Sequence, residues 1–129
     1  MPIRILLVED TPVNMYVLQR VFNKEGFEVL EATDGKEAVR KAEKEKPDIV
    51  LMDMRLPGMS GYEAVTLLHK KIPSLPIIAV TADALPGDRE WCLNLGCADY
   101  FSKPIKYREV IDAVYRIIKD GDNRSTANA

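Results

Sequence analysis

The sequence is poor in the residues that build disulfide frameworks and histidine-based metal sites. Its 129 residues include two cysteines, Cys92 and Cys97, and one histidine, His69. Zinc would need two more soft ligands, and a disulfide is disfavoured in a reducing compartment, so we expect both cysteines to be small packed residues. His69 is followed by two lysines, which favours a solvated side chain.

Long apolar segments and excess charge of one sign are also missing. No apolar run approaches the roughly 20 residues that a membrane span needs, and the N-terminus lacks a signal-peptide pattern. The formal net charge is −2, which indicates no general attraction to nucleic acid or to an anionic membrane. We therefore expect a cytoplasmic chain of about one domain.

Five short segments have the composition of β-strands. Residues 3–8, 49–52 and 77–80 are nearly continuous apolar runs, which suit strands buried on both faces of a parallel sheet. Residues 28–32 alternate as an edge strand would, and residues 99–102 form a weaker fifth strand.

The segments between these strands have helical patterns. Pro12 suits the first position of a helix that Gly26 ends, and its predicted apolar stripe comprises Val13, Val17, Leu18, Val21 and Phe22. Capping-box spacings predict two further helix starts, at Asp34 and Ser60. A short fourth helix is expected over 88–95, and apolar positions from Tyr107 onward predict the last helix. The tail, residues 120–129, has nothing to bury, and we expect it to be disordered.

Strands that alternate with helices predict one fold class. Five βα units in a row imply an α/β fold, a doubly wound five-stranded parallel sheet with helices on both faces. In such a sheet, ligands bind outside the carboxyl ends of the strands.

Polar residues follow four of the predicted strands at those carboxyl ends. Glu9 and Asp10 follow the first strand, Asp53 the third, Thr81 the fourth and Lys103 the fifth. At an effective dielectric constant near 20, two unit charges about 4 Å apart repel by roughly 4 kcal/mol. Lys103 offsets one carboxylate, and Mg²⁺ would neutralise the remainder because it prefers oxygen ligands and keeps positions for a phosphoryl oxygen. Asp53 could then act as a nucleophile toward phosphorus.

Four sequence blocks carry a family resemblance. Residues 8–10 (VED), 51–61 (LMDMRLPGMSG), 80–82 (VTA) and 103–104 (KP) resemble, in order and at strand ends, the signature blocks of response-regulator receiver domains. The resemblance covers about residues 3–119, so residues 1–119 are expected to form the receiver domain. It also implies the flavodoxin-like strand order 2-1-3-4-5.

The resemblance implies a metal site and a phosphoacceptor. Asp53 resembles the phosphoacceptor, and Asp53 and Asp10 resemble direct Mg²⁺ ligands. Glu9 would bind the metal mainly through water, and the backbone carbonyl of Arg55 resembles the remaining protein ligand.

It also implies a phosphoryl-binding and switching group. Lys103 resembles the residue that pairs with the phosphoryl group, and the backbone N–H of Ala82 resembles a phosphoryl donor. Thr81 resembles the switch hydroxyl, and Tyr100 resembles the aromatic partner that follows it into the vacated space. The family also implies a cis bond before Pro104.

The implied function is that of a phosphoacceptor switch rather than a turnover enzyme. A histidine kinase or histidine phosphotransfer domain would supply the phosphoryl group from its phosphohistidine, because His69 is not a plausible donor. The face made by the fourth helix, fifth strand and fifth helix would then change and bind a downstream effector protein. Docking of the kinase is expected beside the first helix, with Met15, Leu18 and Gln19 as candidates. No direct nucleic-acid or membrane partner is implied, and the chain is expected to be a monomer or weak homodimer.

Four alternatives stay open. The chain could be the receiver part of a hybrid kinase or larger response regulator. An aspartyl-nucleophile phosphatase would want a second acid where Arg55 stands. A flavodoxin-like cofactor binder would need phosphate-binding donors where Glu9 and Asp10 stand. A degenerate receiver used only for binding is disfavoured by the retention of Asp53, Thr81 and Lys103. Arg55 and Asp83 could pair across the mouth of the site or remain solvated.

Overall fold

Strands and helices alternate from Arg4 to Ala127. The structure is a computed structural model that describes residues 2–82 and 84–127, with side chains as far as residue 121. The elements are β1 (Arg4–Val8), α1 (Pro12–Lys24), β2 (Glu28–Ala32), α2 (Gly35–Glu45), β3 (Ile49–Asp53), α3 (Gly61–Lys71), β4 (Ile77–Thr81), α4 (Asp88–Asn94), β5 (Asp99–Ser102) and α5 (Tyr107–Ala127).

The five strands form one parallel sheet. Their order is β2-β1-β3-β4-β5, so the predicted fold class and strand order are confirmed, and β2 is an edge strand as expected. The register pairs Val8 with Met52, and Thr81 with Ser102. This register brings the carboxyl ends of β1, β3, β4 and β5 to the same rim.

Two hydrophobic layers cover the two faces of this sheet. Every residue of β3 and β4 is buried, which explains why these strands are apolar without alternation. Leu6, Val50 and Met52 face the layer that includes α2 and α3, whereas Ile5, Ile49 and Leu51 face α1 and α5. Burying one such aliphatic side chain contributes about 1.5–3 kcal/mol, so the apolar runs account for much of the driving force for this fold.

Helix α1 buries a different stripe from the predicted one. Its buried residues are Met15, Leu18 and Phe22. Val13 is 71 % exposed and Val17 is 36 % exposed, so the predicted positions of these two valines were wrong. The predicted and the observed stripes are both apolar and share Leu18 and Phe22, so hydrophobic periodicity alone could not choose between them. Met15, which has the longer side chain, packs in the core where Val13 and Val17 were expected.

Helices α2 and α3 begin at the predicted caps. The Oδ1 atom of Asp34 accepts a hydrogen bond from the backbone N–H of Glu37 at 2.8 Å. The hydroxyl of Ser60 accepts one from the backbone N–H of Glu63 at 3.2 Å. Each cap satisfies a backbone donor that the first helical turn leaves without a partner.

The last helix runs further than the sequence indicates. Helix α5 continues to Ala127, over most of the segment 120–129 for which we expected disorder, and residues 128–129 lie outside the described part. No helix in the described ranges is long and apolar enough to cross a membrane. Cys92 and Cys97 are buried free thiols, as predicted.

Candidate functional site

Three carboxylates meet at the rim where the strands end. Asp53 is the last residue of β3 and is 6 % exposed, while Glu9 follows β1 and is 2 % exposed. Asp10, the next residue, is exposed. One oxygen from each of the three lies within 4.8 Å of the others. The pairing of Val8 with Met52 places Glu9 level with Asp53, so the fold itself creates this cluster.

Lys103 brings a positive charge to the same point. Its Nζ lies 3.3 Å from Oδ2 of Asp53 and 3.4 Å from Oε1 of Glu9. The backbone N–H of Lys103 donates to the carbonyl of Thr81 at 2.8 Å, which holds the end of β5 beside β4. The bond to Pro104 is cis, as the family resemblance implied.

Two further donors hold the carboxylates. The side-chain amide of Asn14, in the first turn of α1, donates to Oε1 of Glu9 at 2.7 Å. The backbone N–H of Arg55 donates to Oδ1 of Asp53 at 2.9 Å. Asn14 was not among the predicted site residues, because no motif marks it and only the path of the chain into α1 brings it to Glu9.

The charges of this cluster perturb one another. Burial, and then the neighbouring carboxylate of Asp53, raise the pKa of Glu9 from 4.5 to about 7. Burial alone would lower the pKa of Lys103, but the attraction of Asp53 and Glu9 outweighs it and the pKa rises. The site therefore holds more negative charge than its single lysine balances.

The two predicted switch residues, Thr81 and Tyr100, lie in β4 and β5. Thr81 ends β4 and is 3 % exposed, and Ala82 after it is exposed. Tyr100 pairs with Ala79 in the sheet, and its ring is already packed within the core. Its hydroxyl is buried without a hydrogen-bond partner among the described residues.

The arrangement suits a hard divalent cation. Glu9, Asp10 and Asp53 each offer a carboxylate oxygen close enough to share one ion. A cation would offset both the burial and the repulsion by Asp53 that raise the pKa of Glu9. A cavity of about 360 Å³ opens beside Asp53 and Lys103, and its lining also includes Glu9 and Asn14.

Some predicted residues lie elsewhere or are not described. Asp83 lies outside the described residues, so the idea that it pairs with Arg55 stays a prediction. Met15 and Leu18 are buried, so they are not exposed docking residues, which corrects that expectation. Gln19 is half-buried and hydrogen-bonds to Glu31. The exposed apolar residues of α1 are instead Val13, Tyr16 and Val17.

Comparisons with known proteins identify the family. The family model described as response regulator receiver domain matches residues 5–115, so the chain belongs to this family. It is 36 % identical to protein PilH of Pseudomonas aeruginosa over 117 residues, which cover 89 % of this chain and 97 % of that protein.

Two solved structures extend the comparison. A CheY-like receiver domain from Methanospirillum hungatei superposes with a TM-score of 0.90 at 28 % identity, covering 96 % of this chain and 99 % of that one. The receiver domain of the sensor histidine kinase PA1611 from Pseudomonas aeruginosa has a TM-score of 0.84 and 43 % identity, covering 92 % and 99 % of the two chains, and contains a magnesium ion in its active-site cleft.

Proposed function

We propose that this receiver domain is a phosphoacceptor switch that takes a phosphoryl group onto Asp53. The observation that carries the proposal is the position of Asp53, a buried carboxylate at a strand end, between Lys103 and the acidic pair Glu9–Asp10. A carboxylate held in this way is poised to attack phosphorus, and a nearby cation stabilises the charge on the transferring oxygens.

Glu9, Asp10 and Asp53 are the residues that would hold Mg²⁺, together with the backbone carbonyl of Arg55. When bound, the ion neutralises charge on the phosphoryl oxygens and on the carboxylates. The magnesium ion in the PA1611 receiver domain supports this assignment.

The transfer itself exchanges one bond for another. An oxygen of the Asp53 carboxylate attacks the phosphorus of a phosphohistidine on a partner, the new O–P bond forms, and the P–N bond breaks with its electron pair left on the imidazole. Lys103 lies within reach of both Asp53 and the incoming group, and would neutralise charge on the phosphoryl oxygens. The N–H of Ala82 would donate to the phosphoryl group, and the hydroxyl of Thr81 would move toward it.

The chain would then act stoichiometrically and not as a turnover enzyme. Its partners would be a histidine kinase or phosphotransfer domain and a downstream effector. The exposed residues Val13, Tyr16 and Val17 of α1, near the site, replace Met15 and Leu18 as candidates for the donor's docking surface. The similarity to the receiver domain of the sensor histidine kinase PA1611 supports the alternative in which this chain works as the receiver part of a larger protein.

Intact-mass measurement tests the proposal. The chain is incubated with acetyl phosphate and Mg²⁺, and we expect a gain of one phosphoryl group that hydroxylamine removes. Asp53→Asn and an excess of EDTA should each abolish the gain, whereas Asp112→Asn, which changes an exposed carboxylate of α5, should keep it. Phosphorylation that persists in Asp53→Asn would place the reaction at another residue and disprove the assignment.

A further inference from the structure

Helix α4 has few attachments to the rest of the molecule. It is seven residues long, and Cys92 is the one buried residue in this fully described helix. A single buried side chain provides little packing energy, so the position of α4 depends strongly on its remaining side-chain contacts.

Two side chains on the outer part of α4 make such contacts. The ring of Trp91 stacks on Tyr62 of α3, with ring centroids 4.4 Å apart and an angle of 18° between the planes. Nη1 of Arg89 lies 3.5 Å from Oδ1 of Asp99 and donates to the carbonyl of Tyr100 at 3.3 Å. Arg89 thus connects α4 to β5 at the residue predicted to be the aromatic switch.

Asp99 is shared between two helices. It is 8 % exposed at the start of β5, and its Oδ1 also accepts the backbone N–H of Tyr100 at 2.8 Å. Its Oδ2 accepts from Nη2 of Arg116, on α5, at 2.6 Å. One buried carboxylate therefore links α4, β5 and α5.

The two arginine contacts are unequal. Both arginine side chains are exposed, but the contact with Arg116 is short at 2.6 Å, whereas the contact with Arg89 is long at 3.5 Å. If the Arg89 side chain moves away, Asp99 still accepts hydrogen bonds from Arg116 and from the backbone N–H of Tyr100, so no buried charge is left unpaired. Loss of the Arg89–Asp99 contact alone therefore costs about as much as the loss of one exposed ion pair.

We propose that Arg89 is a positioning residue, a releasable tether that holds α4 against β5 in the position described above, and that this contact is lost in the change that follows occupancy of Asp53. The tethered position is called the resting state below. The inference rests on the proposed function of Asp53. A ligand shifts a conformational equilibrium only by its differential affinity for the two states. Weakening the resting state must therefore raise the apparent affinity for a phosphoryl analogue.

Titration with beryllofluoride in saturating Mg²⁺ tests the tether. Binding is followed by ¹⁹F NMR, and the movement of α4 by the fluorescence of Trp91, the single tryptophan. We expect Arg89→Ala to lower the half-saturating concentration about 1.5- to 5-fold, the range of an exposed ion pair. Arg89→Lys, which keeps the charge opposite Asp99, should lie closer to the original protein. Arg108→Ala removes an equally exposed arginine, from α5, and should leave the midpoint unchanged.

The outcomes separate the two proposals. Beryllofluoride that fails to bind the unaltered chain in Mg²⁺ would refute the proposed function, and the tether with it. Binding with equal or higher midpoints in Arg89→Ala than in Arg108→Ala would overturn the tether and leave the proposed function standing. A purely structural role for Arg89 would lower the melting temperature without tightening the binding of the analogue.

Discussion

Among single residues, Glu9 occupies an electrostatically unfavourable position, a carboxylate 2 % exposed and next to Asp53. Its pKa rises from 4.5 in the unfolded chain to about 7 in the fold, so between these values the native state binds a proton that the unfolded state has lost. Stability must then fall as pH rises through this window. In EDTA, we expect the free energy of unfolding to decrease by about 1–2 kcal/mol from pH 4.5 to 8 through this residue.

Urea denaturation of Glu9→Gln at a series of pH values checks this expectation. The variant has no proton to lose at this position, so the decrease should shrink and the protein should be more stable at pH 8. Glu109→Gln, at an exposed position of α5, should retain the original pH dependence. Identical pH profiles for Glu9→Gln and the unaltered chain would show that Glu9 ionises normally.

The main site residues could be predicted because each follows an apolar strand. Once the sheet is parallel, the ends of β1, β3 and β5 must meet, and Glu9, Asp53 and Lys103 meet with them. Asn14 and Arg89 could not be predicted in the same way. Their contacts depend on the direction that a helix takes as it leaves the rim, and side-chain patterns carry no record of that direction.

At the scale of elements, α1 and α4 end in the same motif. After α1, the N–H of Gly26 donates to the carbonyl of residue 23, and the N–H of residue 27 donates to the carbonyl of residue 22. After α4, the N–H of Gly96 donates to the carbonyl of residue 93, and the N–H of residue 97 donates to the carbonyl of residue 92. Both glycines have positive φ, +95° at Gly26 and +113° at Gly96. The surroundings differ, because a Cβ at Gly96 would lie 2.6 Å from Nδ1 of His69, whereas nothing lies within 4 Å of one at Gly26.

Alanine substitutions at Gly26 and Gly96 distinguish the cost of backbone strain from the cost of steric overlap. Gly26→Ala should destabilise the protein by about 1–2 kcal/mol, the cost of a left-handed conformation for alanine. Gly96→Ala should cost more, because the imidazole of His69 must also move. In Gly96→Ala combined with His69→Ala, the excess should disappear, as measured by urea denaturation. Equal losses in both single variants would mean that the ring gives way without cost.

Strands and helices could be predicted where the spacing of apolar residues agreed with the helix-capping residues. Which face of a helix is buried was harder to predict. The strands and the starts of α2 and α3 follow from apolar runs and from Asp34 and Ser60. In α1, two overlapping apolar stripes fit the same helix, and packing against the sheet selected Met15 over Val13. The consequence is functional, because the exposed valines change which residues could meet a partner.

At the scale of the whole molecule, the metal site and the buried thiols both depend on the equilibrium between the folded chain and its opened forms. Cys92 and Cys97 are 0 % and 6 % exposed, and burial raises the pKa of Cys97 from 9.0 to about 12. A thiol that is both inaccessible and protonated does not react with iodoacetamide, so alkylation at pH 8 must pass through opened molecules. A ligand of the native state alone reduces the opened population by the factor 1 + [L]/Kd. Mg²⁺ at ten times its Kd should therefore slow alkylation about tenfold.

Intact-mass counting of alkylated thiols over time gives the rate. The slowing by Mg²⁺ should vanish in Asp53→Asn and persist in Asp112→Asn, because the first change removes a proposed ligand and the second an exposed carboxylate. If α4 opens locally and exposes Cys92 while the rim stays folded, Mg²⁺ will slow alkylation by much less than its affinity dictates, and Arg89→Ala will accelerate it. The size of the Mg²⁺ effect thus distinguishes a molecule that opens as one unit from one in which α4 opens alone.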